Sequence, residues 1–250
     1  MKKLSSLKCA SLQILKWVAC LLLLSSCLKS TAHAEEANHQ ENDANPIYVS
    51  LGSHCEVTNF IGYNGLRTAA YPFDWMLTFN RSLISVLEQD FAFYVDETYL
   101  KSHRFGVVNR YYQIDFRHDW PDFGQNWHKM DIRRILPEVQ DKYQRRIERF
   151  YELAQHKGKV FFIRAPLDID YSLDVYPTFT KEAKRITSEE ALAIRNLLLD
   201  KFPNLDFNLI IINYAEEGAP PIVGLEKVHE FRVRLSHKFE DWENILLSLN

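Results

Sequence analysis

Ile47-Tyr-Val-Ser-Leu-Gly-Ser-His-Cys55 decides how this chain is read. Its first five residues are a short apolar run, flanked by Pro46 and Gly52. Such a run between chain breakers is a buried strand. Gly52 and Ser53 make the turn, and residues 55–62 open a helix. A chain that starts strand–turn–helix is on the way to a parallel sheet covered by helices.

The rest of the chain repeats the pattern. Lys159-Val-Phe-Phe-Ile163 and Phe207-Asn-Leu-Ile-Ile-Ile212 are two further apolar strands. Before the first, Val139, Tyr143, Ile147, Phe150 and Ala154 fall on one helical face, with Pro137 in the opening turn and Gly158 as the stop. Before the second, Thr187-Ser-Glu-Glu190 is a capping box for a helix over 188–202. In 226–235, His229, Phe231, Val233 and Leu235 alternate with charged residues, which predicts a strand with one wet face or an edge position. A last helix runs through Trp242, Ile245, Leu246 and Leu249. Near the start, residues 81–93 read as helix with Asn80 as cap. Residues 94–131 are rich in aromatics and show no sustained period, so they read as an insertion. The expectation is a three-layer α/β domain over 47–250, flavodoxin- or SGNH-like. Strands 47–51, 159–163 and 207–212 should lie side by side in a mainly parallel sheet.

The 250 residues are 46% apolar, 25% charged and 13% aromatic, the balance of a folded domain with a large core. Eight glycines and nine prolines are too few for a collagen-like or linker-rich chain. A net charge of −3 gives no reason to expect nucleic acid as a partner. The N-terminus differs from the whole. Residues 1–34 hold five lysines (Lys2, Lys3, Lys8, Lys16, Lys29) and no acid, around the apolar stretch Trp17-Val-Ala-Cys-Leu-Leu-Leu-Leu24. That stretch is too short to span a bilayer, which takes about 20 residues, and reads as the core of a signal peptide. Leu24-Ser-Ser-Cys27 has the form of a lipobox, with Cys27 as the lipidated residue, and Ala32-His-Ala34 offers cleavage after Ala34. Residues 35–46 are polar and acidic and read as a linker. The chain is therefore expected to be exported, periplasmic or held at a membrane only through an N-terminal lipid.

Cys9, Cys20 and Cys27 belong to the leader, which leaves Cys55 as the domain's one thiol. An intrachain disulfide and a cysteine-built zinc site are both ruled out. No phosphate loop, G-x-G-x-x-G or H-E-x-x-H occurs, so neither cofactor nor metal is expected. Cys55 lies at the carboxyl end of the first strand, the rim where α/β sheets bind ligands. A helix start there would favour the thiolate. The Gly52–Ser53 turn would supply an oxyanion site. A nucleophilic thiol needs a base. His118, in Phe116-Arg-His-Asp-Trp120, is the leading candidate and His229 the alternative, while His54 is expected to point away from its neighbour. Asp74, in Tyr71-Pro-Phe-Asp-Trp75, is either a catalytic carboxylate or the cap of a structural corner. Arg164, ending a strand, is a candidate for an anionic substrate group, or pairs with Asp168 or Asp170.

Together, Val49-Ser-Leu-Gly-Ser-His-Cys55, Gly65-Leu-Arg-Thr-Ala-Ala-Tyr-Pro-Phe-Asp-Trp75, Phe116-Arg-His118, Lys142-Tyr-Gln-Arg-Arg-Ile-Glu-Arg-Phe150 and Val160-Phe-Phe-Ile-Arg164 resemble a bacterial family of unknown function labelled papain-like cysteine peptidase. The resemblance spans roughly 47–250 and implies a papain-like cysteine peptidase or related thiol hydrolase of unknown substrate, which the leader would place in the cell envelope. Cys55, His118 and Asp74 would be its site. The C-G-[SA]-C-[WY] signature of papain itself is absent, since Glu56 follows the cysteine. The opening block is also similar to SGNH (GDSL-type) hydrolases, which would make Ser53 or Cys55 the nucleophile and His229 or His237 the base. A third reading is a non-catalytic domain that binds glycans or a partner through the aromatic region.

Overall fold

The computed structural model describes residues 44–103, 106–120, 131–167, 185–215, 220–234 and 238–249. The leader with Cys27, nearly all of the linker, His237, Asp168 and Asp170 lie outside them. Every element below belongs to the unit Pro46–Asn250.

The main sheet has four parallel strands: β1 (Ile47–Ser50), β6 (Val160–Arg164), β7 (Phe207–Tyr214) and β8 (Val228–Val233), in the order β1-β6-β7-β8. Ile47 sits opposite Val160, Val160 opposite Phe207 and Leu209 opposite Val228. The three apolar runs are neighbours, as the sequence predicts, and β8 lies at an edge with His229 and Arg232 exposed.

Strand alternation divides the core in two. Val49, Phe162, Leu209 and Ile211 point to one face. Tyr48, Phe161, Ile163, Ile210 and Ile212 point to the other. On this second face lie α1 (Cys55–Tyr63) and α5 (Lys238–Ser248), joined where Phe60 stacks on Trp242 at 4.7 Å and 7°. On the first lie α2 (Asn80–Glu88), α3 (Leu136–Glu152) and α4 (Ser188–Lys201). The result is a three-layer α/β arrangement, with helices on both faces because strands buried on both faces need cover. The capping box forms as read: Thr187 Oγ1 accepts from the Glu190 N–H at 3.2 Å, and Glu190 Oε2 accepts from the Thr187 N–H at 2.8 Å.

Four expectations need correcting. A flavodoxin order would place the first strand inside the sheet. Here β1 pairs with β6 alone among the described residues. The segment that could have supplied a strand on its other side builds a second sheet instead. That sheet is antiparallel, ordered β2-β5-β4-β3, from β2 (Leu77–Thr78), β3 (Leu100–His103), β4 (Gly106–Asn109) and β5 (Ile114–Phe116). Part of the supposed insertion is therefore ordered sheet, packed by Leu100, Val107, Ile114 and Phe116 into the first-face core. The helix expected over 81–93 stops at Glu88, and Asp90, Phe91 and Phe93 take left-handed conformations at φ 50°, 59° and 61°. Asn80 is the first helical residue rather than the cap. Its side chain donates to the Arg185 carbonyl at 3.0 Å.

Candidate functional site

Cys55 opens α1 at the carboxyl end of β1, half-buried. The turn that places it is locked from three sides. Gly52 has φ 80°, and a Cβ there would strike Thr78 Oγ1 and lie 2.9 Å from Arg164 Nη1, so only glycine fits. The Ser53 hydroxyl, 1% exposed, donates to the Pro166 carbonyl at 2.8 Å. The Ser53 carbonyl accepts from the Thr78 N–H at 2.7 Å. Ser53 is thus structural, which removes it as an SGNH-type nucleophile. The Gly52 N–H is taken by Ser50 Oγ at 3.2 Å and is not an oxyanion donor. The open donors lie one step later. The N-cap residue of α1 is His54, and its side chain makes no capping bond, so the orphan N–H groups of the first turn are uncapped by it.

His54 does not point away. Its Nδ1 lies 3.1 Å from Cys55 Sγ and its Nε2 3.7 Å. His118 sits in the turn after β5, exposed, its ring edge-on to Trp75 with centroids 6.1 Å apart. Among the described residues the hydrogen bonds of the Cys55 sulfur run to His54 and not to His118. Asp119 does not orient it, because that carboxylate binds Lys142 and accepts from Tyr143 Oη at 2.8 Å, both on α3. His229 is exposed on β8. The histidine that touches the thiol is the neighbour in sequence, since an extended N-cap residue (φ −139°, ψ 173°) swings its side chain across the helix entrance.

The thiol is not activated by its helix start in the way the sequence suggests. Burial pushes the Cys55 pKa up, and Glu56 adds to the rise. The residue's own backbone N–H and Arg117 oppose it without prevailing. Glu56 is in turn held by Lys238 of α5 at 2.7 Å.

Asp74 is 2% exposed, and every bond it makes is structural. It accepts from Thr58 Oγ1 of α1 at 3.2 Å, from Arg67 Nη2 at 3.1 Å and from the Tyr71 N–H at 3.1 Å. Burial raises its pKa, while Tyr71 and Arg67 pull it down. The corner it caps holds Trp75 in the left-handed region at φ 66°, uncommon for a bulky side chain. Its catalytic assignment gives way to the structural one. Arg164 is likewise not a substrate residue: it is fully buried. It donates to Leu51 O (2.7 Å), Thr78 Oγ1 (2.8 Å), Thr78 O (2.7 Å) and twice to Asn80 Oδ1 (3.1 and 2.9 Å). Burial lowers its pKa, and at neutral pH it remains the cation that ties β1, β2 and α2 together.

One cluster near the site escaped the sequence reading. Asp115, 0% exposed in the middle of β5, lies 3.0 Å from Arg117 Nε and 3.2 Å from His103 Nε2. Gly106 makes room for it, since a Cβ there would come within 2.9 Å of Asp115 Oδ1. The period-two pattern Ile114-Asp-Phe116 was the available signal. No group of three or more metal-ligating side chains occurs among the described residues. No helix among them is long and apolar enough to cross a membrane.

Residues 46–217 match the family profile described as "Putative papain-like cysteine peptidase (DUF1796)". The chain belongs to that family. It is also similar, at 23% identity over 220 residues, to "Uncharacterized protein R408" of Acanthamoeba polyphaga mimivirus, a match covering 79% of this chain and 92% of that relative. This relative is viral, where the resemblance read from the sequence was to bacterial proteins. No solved structure matches.

Proposed function

We propose that the protein is a cysteine hydrolase, with a peptide or related acyl compound as substrate and Cys55 as nucleophile. The observation that carries this is the 3.1 Å contact between His54 Nδ1 and Cys55 Sγ at the entrance of α1. With its pKa raised, Cys55 rests as the thiol. His54 then acts as a general base: it takes the thiol proton as sulfur attacks the carbonyl carbon. The tetrahedral oxyanion is received by the N–H groups of the first turn of α1. On collapse the carbon–nitrogen bond breaks, the leaving amine takes the proton from the imidazolium, and a thioester remains on Cys55. Water, deprotonated by the same imidazole, attacks the thioester; the carbon–sulfur bond breaks, the acid leaves, and the Cys55 sulfur takes the proton back from the imidazolium. Export through the leader, with a lipid on Cys27, belongs to this proposal and rests on the sequence of residues 1–34.

The test is turnover of a fluorogenic peptide and ester panel by the purified protein and three variants. Cys55→Ser should abolish activity, and His54→Ala should lower kcat about 10²- to 10⁴-fold. His118→Ala should cost less than about tenfold by the same scale. The reverse order for the two histidines would move the base to His118, and activity that survives Cys55→Ser would end the reading. Because burial raises the thiol pKa, iodoacetamide alkylation of native protein should climb with pH in a range above that of an ordinary thiol, about 8.5.

A second reading has its own observation. A groove of about 790 Å³ runs between the turns at 91–97 and α3, floored by Tyr94 and Tyr143. Beside it Phe93, Tyr99 and Tyr111 form a ring cluster with centroids 5.1–5.5 Å apart. Binding of glycans or a partner there would survive Cys55→Ser, which separates it from catalysis.

A further inference from the structure

We infer that the groove between the turns at 91–97 and α3 takes a neutral oligosaccharide, stacked on Phe93 and hydrogen-bonded by Gln140 and Gln144. This deepens the second reading above and rests on it, and it does not depend on Cys55.

One wall of the groove is strained and held rigid. Phe91 and Phe93 line it in left-handed conformations, with Asp90 left-handed beside them. Bulky residues stay in that region only where surrounding bonds hold them, and such places are common at ligand clamps. Here the bonds are explicit. Asn109, 0% exposed, donates to the carbonyls of Phe93 at 2.7 Å and Tyr94 at 3.1 Å. Tyr112 donates to the Ala92 carbonyl, and Gln140 Nε2 to the Val95 carbonyl at 3.0 Å. The Tyr94 hydroxyl donates to the Pro72 carbonyl at 3.0 Å. The wall is thus formed before any ligand arrives, which lowers the cost of binding.

The same bonds select the ligand. The carbonyls of residues 92 to 95 are all engaged, so an extended peptide finds no free main-chain edge to pair with. Charge is engaged as well. Glu97 pairs with Arg133, and Asp96 Oδ1 accepts from the Thr98 N–H at 2.8 Å. The Tyr143 ring on the floor already has the Arg146 guanidinium 5.2 Å and the Lys142 ammonium 5.7 Å from its centroid. An ionic ligand therefore has no partner to gain. Ring faces and amide oxygens remain. Gln140 and Gln144 stand one turn apart on α3, and their side-chain N–H groups donate to Val95 and to Glu148 Oε1 at 2.9 Å. Each keeps an amide oxygen that meets no donor among the described residues. Phe93 and Tyr111 are each 44% exposed with centroids 5.4 Å apart, so Phe93 continues the groove into an open aromatic face. Apolar faces edged by hydroxyl donors are the chemistry of a sugar ring. The volume of about 790 Å³ lies within the range of about 300–1,000 Å³ that holds small ligands.

The experiment is isothermal titration calorimetry of the purified protein with cellohexaose, maltohexaose and chitohexaose, and with a polyproline peptide as the contrasting probe. At least one sugar should bind, with a Kd that does not move with salt, because no ion pair forms. Phe93→Gly suits the left-handed backbone and removes the ring, and should weaken binding about tenfold. Gln144→Ala should weaken it roughly three- to tenfold. Tyr63→Ala, at an exposed ring on α1, should leave it unchanged. If Phe93→Gly does not fold, Tyr111→Ala removes part of the same aromatic face and should weaken binding in its place. Sugars that bind the Phe93 and Gln144 variants as well as the unaltered chain would overturn the inference. Binding of the polyproline peptide in preference to all three sugars would overturn it and leave the second reading with a protein partner. Binding of neither kind of probe would overturn both.

Discussion

The two sheets of this protein are built on opposite terms. In the parallel sheet the buried residues of β6 and β7 are almost wholly apolar: Val160, Phe161, Phe162, Ile163, Phe207, Leu209, Ile210, Ile211 and Ile212. In the antiparallel sheet the strands are two to four residues long. Thr78, His103, Asn109 and Asp115 are all buried within it. The first sheet gains stability from each apolar residue it buries, at about 25 cal/mol per Å² of apolar surface. The second gives part of that gain up to hold polar groups in fixed places. One sheet is a platform, and the other is tied to the turn before Cys55 through the Thr78 N–H and the Ser53 carbonyl.

The join between them is Arg164, and cutting it should have the largest effect. It belongs to β6 of the platform, yet its bonds run to Thr78 of β2 and Asn80 of α2 as well as Leu51. Arg164→Met keeps most of the volume and leaves those acceptors buried without donors. We expect a loss of about 3–5 kcal/mol, measured by urea unfolding. Arg164→Lys should recover only part of it, because one ammonium cannot reproduce the planar fork. A loss below about 1 kcal/mol would mean the two sheets do not depend on this residue.

The same contrast explains what could be read from sequence. Runs such as Val160-Phe-Phe-Ile163 announce themselves, because a strand buried on both faces carries its evidence in consecutive residues. The capping box at Thr187 is equally local. Strands β2 to β5 are too short for a period to develop, and their buried polar residues earn their place from partners distant in sequence. Asp115 is intelligible only with His103 and Gly106, and Arg164 only with Thr78 and Asn80. For the site, Cys55 and its turn were legible because strand, glycine and helix start are contiguous. The histidine was not: whether residue 54 faces or leaves its neighbour depends on the backbone angles of the N-cap, which composition does not set.

An intermediate effect is expected at the corner under α1. Asp74→Ala leaves the Tyr71 N–H and the Thr58 and Arg67 donors without their acceptor, a loss of about 2 kcal/mol. Asp74→Asn should cost less, since its amide oxygen can still accept. The sign with pH follows from the raised carboxyl pKa. Folding favours the protonated form, so this group's contribution is fullest below the unfolded value and declines as pH rises through the folded one. Asp74→Asn should therefore flatten the pH dependence of stability above the ordinary carboxylate value of about 3.9. An unchanged slope would show that the carboxyl is not paying for its burial.

The smallest expected effect belongs to the platform's own periphery and sharpens the comparison by its lack of consequence. Thr187 caps α4 on the face remote from α1, and its box with Glu190 satisfies two N–H groups of the helix start. Thr187→Ala should cost about 1 kcal/mol in unfolding free energy. It should leave the alkylation profile of Cys55 where it was, because α4 touches neither the Gly52 turn nor the Asp115 cluster through any of the bonds described here. Helix capping is a local term, and distant local terms add. Should this variant slow Cys55 as much as it destabilises the fold, the reactive geometry would depend on overall stability rather than on the antiparallel sheet, and the division of labour between the two sheets would fail.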